Sequence, residues 1–222
     1  MVFALVRFLF RWTLRIAFLV IVLVALFRWV NPPTNYYQVT EYIRLGSLER
    51  DWRPLESLPI AVADSAVAAE DANFCRHRCF DLEAIRSVLE AGESRGASTI
   101  TQQVAKNVFL WHGRSWVRKG LEAGFSLLIE LLWGKPRILE VYLNVAEFDE
   151  GVFGIGAASE RYFGKDAEAL TSAEAARLMT VLPNPKGRSA VNLRAVQERR
   201  LPTIRSGAET VAQDDRGACY RP

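Results

Sequence analysis

Histidine is scarce in this chain: only His77 and His112 occur in 222 residues. A metal centre built mainly of imidazoles is therefore excluded. Cysteine is nearly as scarce. Cys75, Cys79 and Cys219 make an odd set, which allows at most one intramolecular disulfide. The Cys75-Arg76-His77-Arg78-Cys79 stretch has a C-x-H-x-C pattern, but it offers one ligand fewer than a structural zinc site takes. The alternative is a bond from Cys75 to Cys219, which would tie the end of the chain back to the region of residue 75. No Walker or dinucleotide glycine motif is present. There are no internal repeats and no low-complexity tracts. Period-2 alternation is almost missing, which argues against a domain built on a sheet. Charge is nearly balanced, with 28 Lys and Arg against 25 Asp and Glu. That suits an anionic substrate or an acidic membrane surface and does not by itself point to nucleic acid.

Apolar sequence, by contrast, is plentiful, at 50% of residues. Residues 16–27, IAFLVIVLVALF, hold no charge and no helix breaker. Extended to 12–30, the run makes about 28 Å of helix, close to the ~30 Å of a bilayer core. Trp12 and Trp29 fall at its ends, where aromatic belts lie, and Asn31-Pro32-Pro33 stops it. Arg7, Arg11 and Arg15 precede the uncharged run 16–27 on one helical face, and after Arg28 nothing basic follows until Arg44. The positive-inside rule then places residues 1–11 in the cytoplasm and the rest outside. A cleaved signal peptide would need a small-residue cleavage site, which is not seen. A buried core helix would leave the arginine face unexplained.

Residues 31–58 read as a polar, aromatic connector. A domain follows over 59–190, long enough for one core. Ile60–Ala69 is a helix-prone run of small residues. Helices are expected over 80–91, over 98–110 with capping residues at its start, over 116–133, and over 137–145, 157–163 and 171–182. Gly92–Gly96 and the 150–156 segment EGVFGIG read as loops. Residues 191–222 are set apart as a polar tail, the last dozen disordered. The fold class expected is mainly α.

Between residues 70 and 144, carboxylates, cations and hydroxyl or amide side chains gather. Glu70, Asp71, Glu122 and Glu140 stand with Lys106, Arg114, Arg118, Lys119 and Lys135, and with Ser98, Thr99, Thr101, Gln102, Gln103 and Asn107. A carboxylate can take a proton from an attacking hydroxyl, and cations can hold a departing phosphate. Each residue alone reads equally well as a solvated surface group.

Five blocks in order carry a more specific message: EDANFCRHRCFD (70–81), GASTITQQVAKN (96–107), RKGLE (118–122), KPRILEVYLN (135–144) and GAASERYFGK (156–165), the last followed by TSAEAARLMTVLPNP. These resemble the peptidoglycan glycosyltransferases (glycosyltransferase family 51), which polymerise lipid II on a lysozyme-like α fold. The resemblance implies Glu70 as general base, Lys106 and Arg114 as cations at the donor pyrophosphate, and Glu122 as a second essential carboxylate. Ser98, Thr99, Gln102 and Gln103 fall in the family's binding block. Arg118 and Lys119 are either donor-site cations or partners of Glu122. Asp71, Phe74 and His77 would shape the first loop, and Glu140, Tyr142 and Asn144 would be mainly structural. No cofactor is required by the pattern, although a divalent cation such as Mg at the pyrophosphate fits it. One departure stands out: Cys79 occupies a position where the family usually has Gly, whose freedom at positive φ a Cβ would forfeit.

The resemblance further implies a single-pass protein of a bacterial inner membrane with a periplasmic catalytic domain, working on lipid II and the growing glycan chain beside other cell-wall proteins. The absence of S-x-x-K and the short chain imply no transpeptidase domain. The apolar stretches Phe109–Trp111 and Phe125–Trp133, with basic neighbours, suit an interfacial surface. The rivals are a lysozyme-like glycan-cleaving enzyme and a non-catalytic cell-wall scaffold.

Overall fold

A computed structural model of the chain describes residues 2–83, 86, 90, 98–113 and 115–221. Helix α1 (Val2–Leu26) is the one helix among them long and apolar enough to cross a membrane, over Phe3–Leu26. It starts well before the 12–30 span read from hydropathy, so Arg7, Arg11 and Arg15 lie within it. Its last turn is gripped by the domain. Val24 is fully buried, its carbonyl accepts from Trp133 Nε1 at 2.7 Å, and Arg137 Nη2 donates to the carbonyls of Phe27 and Val30 at 3.0 and 2.9 Å. The helix is thus tied to the body: the Trp133 bond satisfies a carbonyl of its last turn, and the Arg137 bonds hold the turn that follows it.

The connector is structured as well. Helix α2 (Tyr36–Leu45) begins at the cap Asn35, whose Oδ1 accepts from Gln38 N at 2.8 Å, and ends at Gly46 with φ 81°. Strand β1 (Glu49–Arg50) then pairs in parallel with β3 (Val152–Phe153), which pairs antiparallel with β2 (Glu147–Asp149). This small sheet escaped the sequence, since strands of two or three residues leave no periodicity to detect. It also explains the glycine loop. Gly154 turns with φ 89° against Asn144, where an added Cβ would sit 2.9 Å from the Asn144 carbonyl oxygen.

The core is helical, with nine α-helices among the described residues. Helix α3 (Ile60–Glu70) lies at its centre, and its residues 62–67 are all buried. Ala and Val dominate this helix because neighbours approach on all sides. Helix α9 (Ala195–Gln213) crosses it so closely that a Cβ on Gly207 would lie 3.1 Å from Ala68 Cβ. Helices α4 (Ile100–Phe109), α5 (Trp116–Leu132) and α6 (Lys135–Val145) pack together on one side. Helices α7 (Ile155–Phe163) and α8 (Ser172–Val181) complete the body. The helix expected over 80–91 and the loop over 92–96 fall largely outside the described residues.

The segment from 191 onward is built into the domain. Low hydrophobicity hid this, because α9 holds to α3 with small residues, ion pairs and a disulfide. Cys75 and Cys219 are bonded, with Cα atoms 5.5 Å apart. This overturns a C-x-H-x-C metal cluster, since the Cys75 sulfur is no longer a ligand. Next to it, buried Asp64 accepts from Tyr220 Oη at 2.8 Å and from Arg221 Nη2 at 2.9 and 3.0 Å. Replacing Asp64 with Ala strips a buried hydroxyl and a guanidinium of their acceptor. Urea denaturation is expected to show a loss of about 3 kcal/mol, and an unshifted midpoint would contradict this account of the C-terminus.

Cys79 is the one non-glycine residue with positive φ, 55°, among those described. The turn keeps the geometry expected of glycine at a cost of about 1 kcal/mol. Its thiol is buried and held 3.5 Å from Ser126 O, while its carbonyl accepts from Thr99 Oγ1 at 2.7 Å.

Candidate active site

Glu70 is the last residue of α3, where a helix end leaves its side chain free of the regular packing. Two residues from distant parts of the chain grip it. Gln103 Nε2, on α4, donates to Oε2 at 3.1 Å, and Arg200 Nη2, on α9, donates to Oε1 at 3.0 Å. Each carboxylate oxygen retains a lone pair able to receive a proton. The side chain is 14% exposed, so it is sheltered yet reachable.

Lys106 follows Gln103 by three residues on the same face of α4, which places both on one wall. That wall belongs to a cleft of about 300 Å³ whose other lining includes Tyr37, His112, Tyr142 and Lys186. Tyr37 comes from the connector helix α2, stacks on His112 with ring centroids 3.8 Å apart, and donates to Glu147 Oε2 at 2.7 Å. Lys186 sits 5.4 Å over the Tyr37 ring and pairs with Glu41 at 2.8 Å. Lys106 forms no ion pair among the described residues. Burial pushes its ammonium pKa down, against the opposing pull of Glu122 and Glu70. An amine in that state gains more than a surface lysine from an anionic ligand, because the ligand replaces the solvation that burial removed. The imidazole of His112 is pushed down to about 4, by desolvation and then by Lys106, Arg118 and Lys186, so it is neutral at physiological pH.

Glu122 is buried on α5. Arg118 Nη1 donates to its Oε2 at 2.6 Å and the Lys119 ammonium donates to its Oε1. Both cations whose role the sequence left open are therefore paired with Glu122. Arg118 Nε also donates to Gly113 O at 2.8 Å, which fixes the loop leading into α5.

The binding block divides. Gln103 faces Glu70 and the cleft. Thr99 and Gln102 are buried and form the capping box of α4, in which Thr99 Oγ1 accepts from Gln102 N and Gln102 Oε1 accepts from Thr99 N. Their polar atoms hold the helix that presents Gln103 and Lys106. Ser98 precedes the cap and is partly buried. Arg114 lies outside the described residues. Asp71 shapes the first loop as anticipated, accepting from Ile100 N at 3.0 Å and bonding His77 Nε2 at 2.7 Å. Asn144 clamps the connector by bonding both the amide and the carbonyl of Arg53 at 2.8 Å, and Glu140 accepts from Leu55 N at 3.1 Å.

Sequence reasoning missed Arg200, Tyr37 and Lys186. They sit in the connector and in segments after Pro185, outside the five blocks, and no local pattern brings them near Glu70. A pair of arginines in a helix-compatible stretch, Arg199-Arg200, was the only available signal.

A small helical body in which Gln103 joins a carboxylate at a helix end to a cleft lined by Lys106, a lysine without an ion pair among the described residues, is the frame of a lysozyme-like glycosyl-transfer domain. The chain belongs to the transglycosylase family, whose model matches residues 38–206. Two relatives match along nearly the whole length. It is 48% identical over 95% of its residues to the biosynthetic peptidoglycan transglycosylase of Jannaschia sp., covering 90% of that protein. It is 47% identical over 96% of both chains to the protein of the same name in Pseudomonas aeruginosa. The Pseudomonas putida relative is 51% identical over 74% of each chain.

Proposed function

We propose that the cleft beside Glu70 joins lipid II units into glycan strands. The chain is a peptidoglycan glycosyltransferase of cell-wall biosynthesis. Glu70 acts as general base on the 4-hydroxyl of the acceptor sugar. As that proton passes to the carboxylate, the oxygen bonds to the anomeric carbon of the growing chain. The bond from that carbon to the pyrophosphate breaks, and undecaprenyl pyrophosphate departs with the electron pair. Attack opposite the leaving group turns an α-linked donor into a β-1,4 bond.

The observation that carries this reading is the half-buried Lys106 amine, unpaired among the described residues and one helical turn from the residue that holds Glu70. It supplies charge where a pyrophosphate would develop it, with Arg114 as its family-matched companion. A divalent cation such as Mg at that pyrophosphate would find Glu122 already engaged by two protein cations, so Lys106 is assigned the main share of neutralisation. The glycan-cleaving rival fares worse on the same ground. Inverting hydrolysis needs an acid opposite the base that can give its proton to the leaving oxygen, whereas both Glu122 oxygens already accept from Arg118 and Lys119.

The setting is a bacterial inner membrane with the domain in the periplasm. Helix α1 and its three arginines support this orientation. So does one face of α5, where Trp116, Val117, Leu121, Leu127 and Leu131 are exposed, 92% for Trp116. This face takes in Leu127 and Leu131 of the Phe125–Trp133 run and is assigned as the interfacial surface, while other residues of the two apolar runs pack inward. Phe109 and Phe125 stack on each other, and Leu110 and Trp133 are buried.

The test is polymerisation of purified lipid II by the full chain. Lys106→Ala is expected to lose on the order of 10²-fold in kcat, with chelator leaving the parent enzyme active. Undiminished turnover in Lys106→Ala would sink the assignment. Loss with chelator and recovery on adding Mg would hand the pyrophosphate to a metal.

A further inference from the structure

We propose that Arg200 is a positioning residue for the transfer reaction, fixing the Glu70 carboxylate in its working orientation from the C-terminal helix. This rests on the reading of Glu70 as the base.

Glu70 ends α3, and a terminal residue has few intrahelical restraints on its side chain. One guanidinium nitrogen of Arg200 supplies two of the missing ones. It donates to Glu70 Oε1 at 3.0 Å and to the orphan Ala69 carbonyl at 2.8 Å. The cation also lies at the negative end of the α3 dipole, which favours it there. Gln103 holds the other oxygen, so the carboxylate plane is defined from both sides. A base must meet its proton along a narrow line, and misplacement by about 1 Å costs on the order of 10²-fold.

The rest of α9 makes Arg200 a stable support. Gly207 packs on Ala68, Cys219 is bonded to Cys75 in the loop after Glu70, and Arg221 with Tyr220 closes on Asp64 in the middle of α3. Every one of these contacts joins α9 or its extension to α3 or the loop that follows it. The C-terminal arm is therefore a brace along the helix that carries the base.

The experiment uses the full chain in detergent micelles, with kcat and KM for lipid II measured on Arg200→Ala and Arg200→Lys. A positioning role predicts a fall in kcat on the order of 10²-fold with KM nearly unchanged, and partial rescue by Lys, which keeps the charge but lacks the planar fork. An unchanged kcat would overturn the proposal. So would a loss confined to KM, which would make Arg200 a substrate ligand. If Arg200→Ala does not fold, Arg200→Gln carries the same test, since it keeps a donor for Ala69 O. Urea denaturation of the Arg200→Ala, Glu70→Gln and double variants separates the two readings. Without coupling between the sites the brace fails while Glu70 stands as the base. Full polymerisation by Glu70→Gln, with coupling present, removes the base instead.

Discussion

Glu70→Gln is expected to reduce lipid II polymerisation by on the order of 10³-fold, about 4 kcal/mol of transition-state stabilisation. The substitution keeps the shape of the side chain and one oxygen for Arg200. It removes the capacity to accept a proton at neutral pH, which is the property the mechanism needs. Folding should be little disturbed. The lost charge weakens one ion pair to Arg200, itself 28% exposed, and leaves the buried face of α3 intact. The variant should sediment with vesicles as the parent does, since α1 and the α5 face are untouched. A gel of glycan chains from lipid II is the readout, and chains made at the parental rate would remove Glu70 from the chemistry. Gln103 provides an internal comparison. It touches the same carboxylate without titrating, so Gln103→Ala should cost less than Glu70→Gln.

Breaking the Cys75–Cys219 bond is expected to cost about 3–5 kcal/mol of stability. The bond closes a loop across a sequence separation of 144 residues, and loops of that order restrict the unfolded chain most. Cys219→Ser, or reduction of the parent chain, should therefore lower the urea midpoint substantially. Mass spectrometry of unreduced peptides should find Cys75 joined to Cys219 with Cys79 free, because the Cys79 thiol is buried and burial raises its pKa, which slows thiolate exchange. An unmoved midpoint on reduction would contradict the account of the C-terminal arm as part of the domain. The activity of reduced enzyme should fall with α9 docking rather than with the chemistry of the cleft, so that excess substrate does not restore it.

The residues proposed for the chemistry were named before folding was considered, through the resemblance carried by short blocks. Glu70 and Lys106 lie in blocks whose residues are close in sequence and act through one helix end or one helix face. Thr99 and Gln102 illustrate the limit of such reading. They share a block with Gln103, but the capping box takes their polar groups inward, and only the direction of each side chain around α4 separates support from contact. Arg118 and Lys119 were ambiguous for the same reason, as i, i+4 and i, i+3 neighbours of Glu122 that could turn toward it or toward a ligand.

The sequence by itself determined the apolar N-terminal helix, the helical class and the order of the blocks. The first two depend on composition and period, whereas Glu70 and Lys106 were singled out through the resemblance that the blocks carry. The tertiary structure alone decided that residues 191–221 form part of the body, that the connector lends Tyr37 to the cleft, and that Arg200 meets Glu70 across 130 positions of sequence. Contacts at that separation arise from how helices cross, and a polar helix held by small residues, ion pairs and one disulfide leaves no hydrophobic period by which its partner could be recognised.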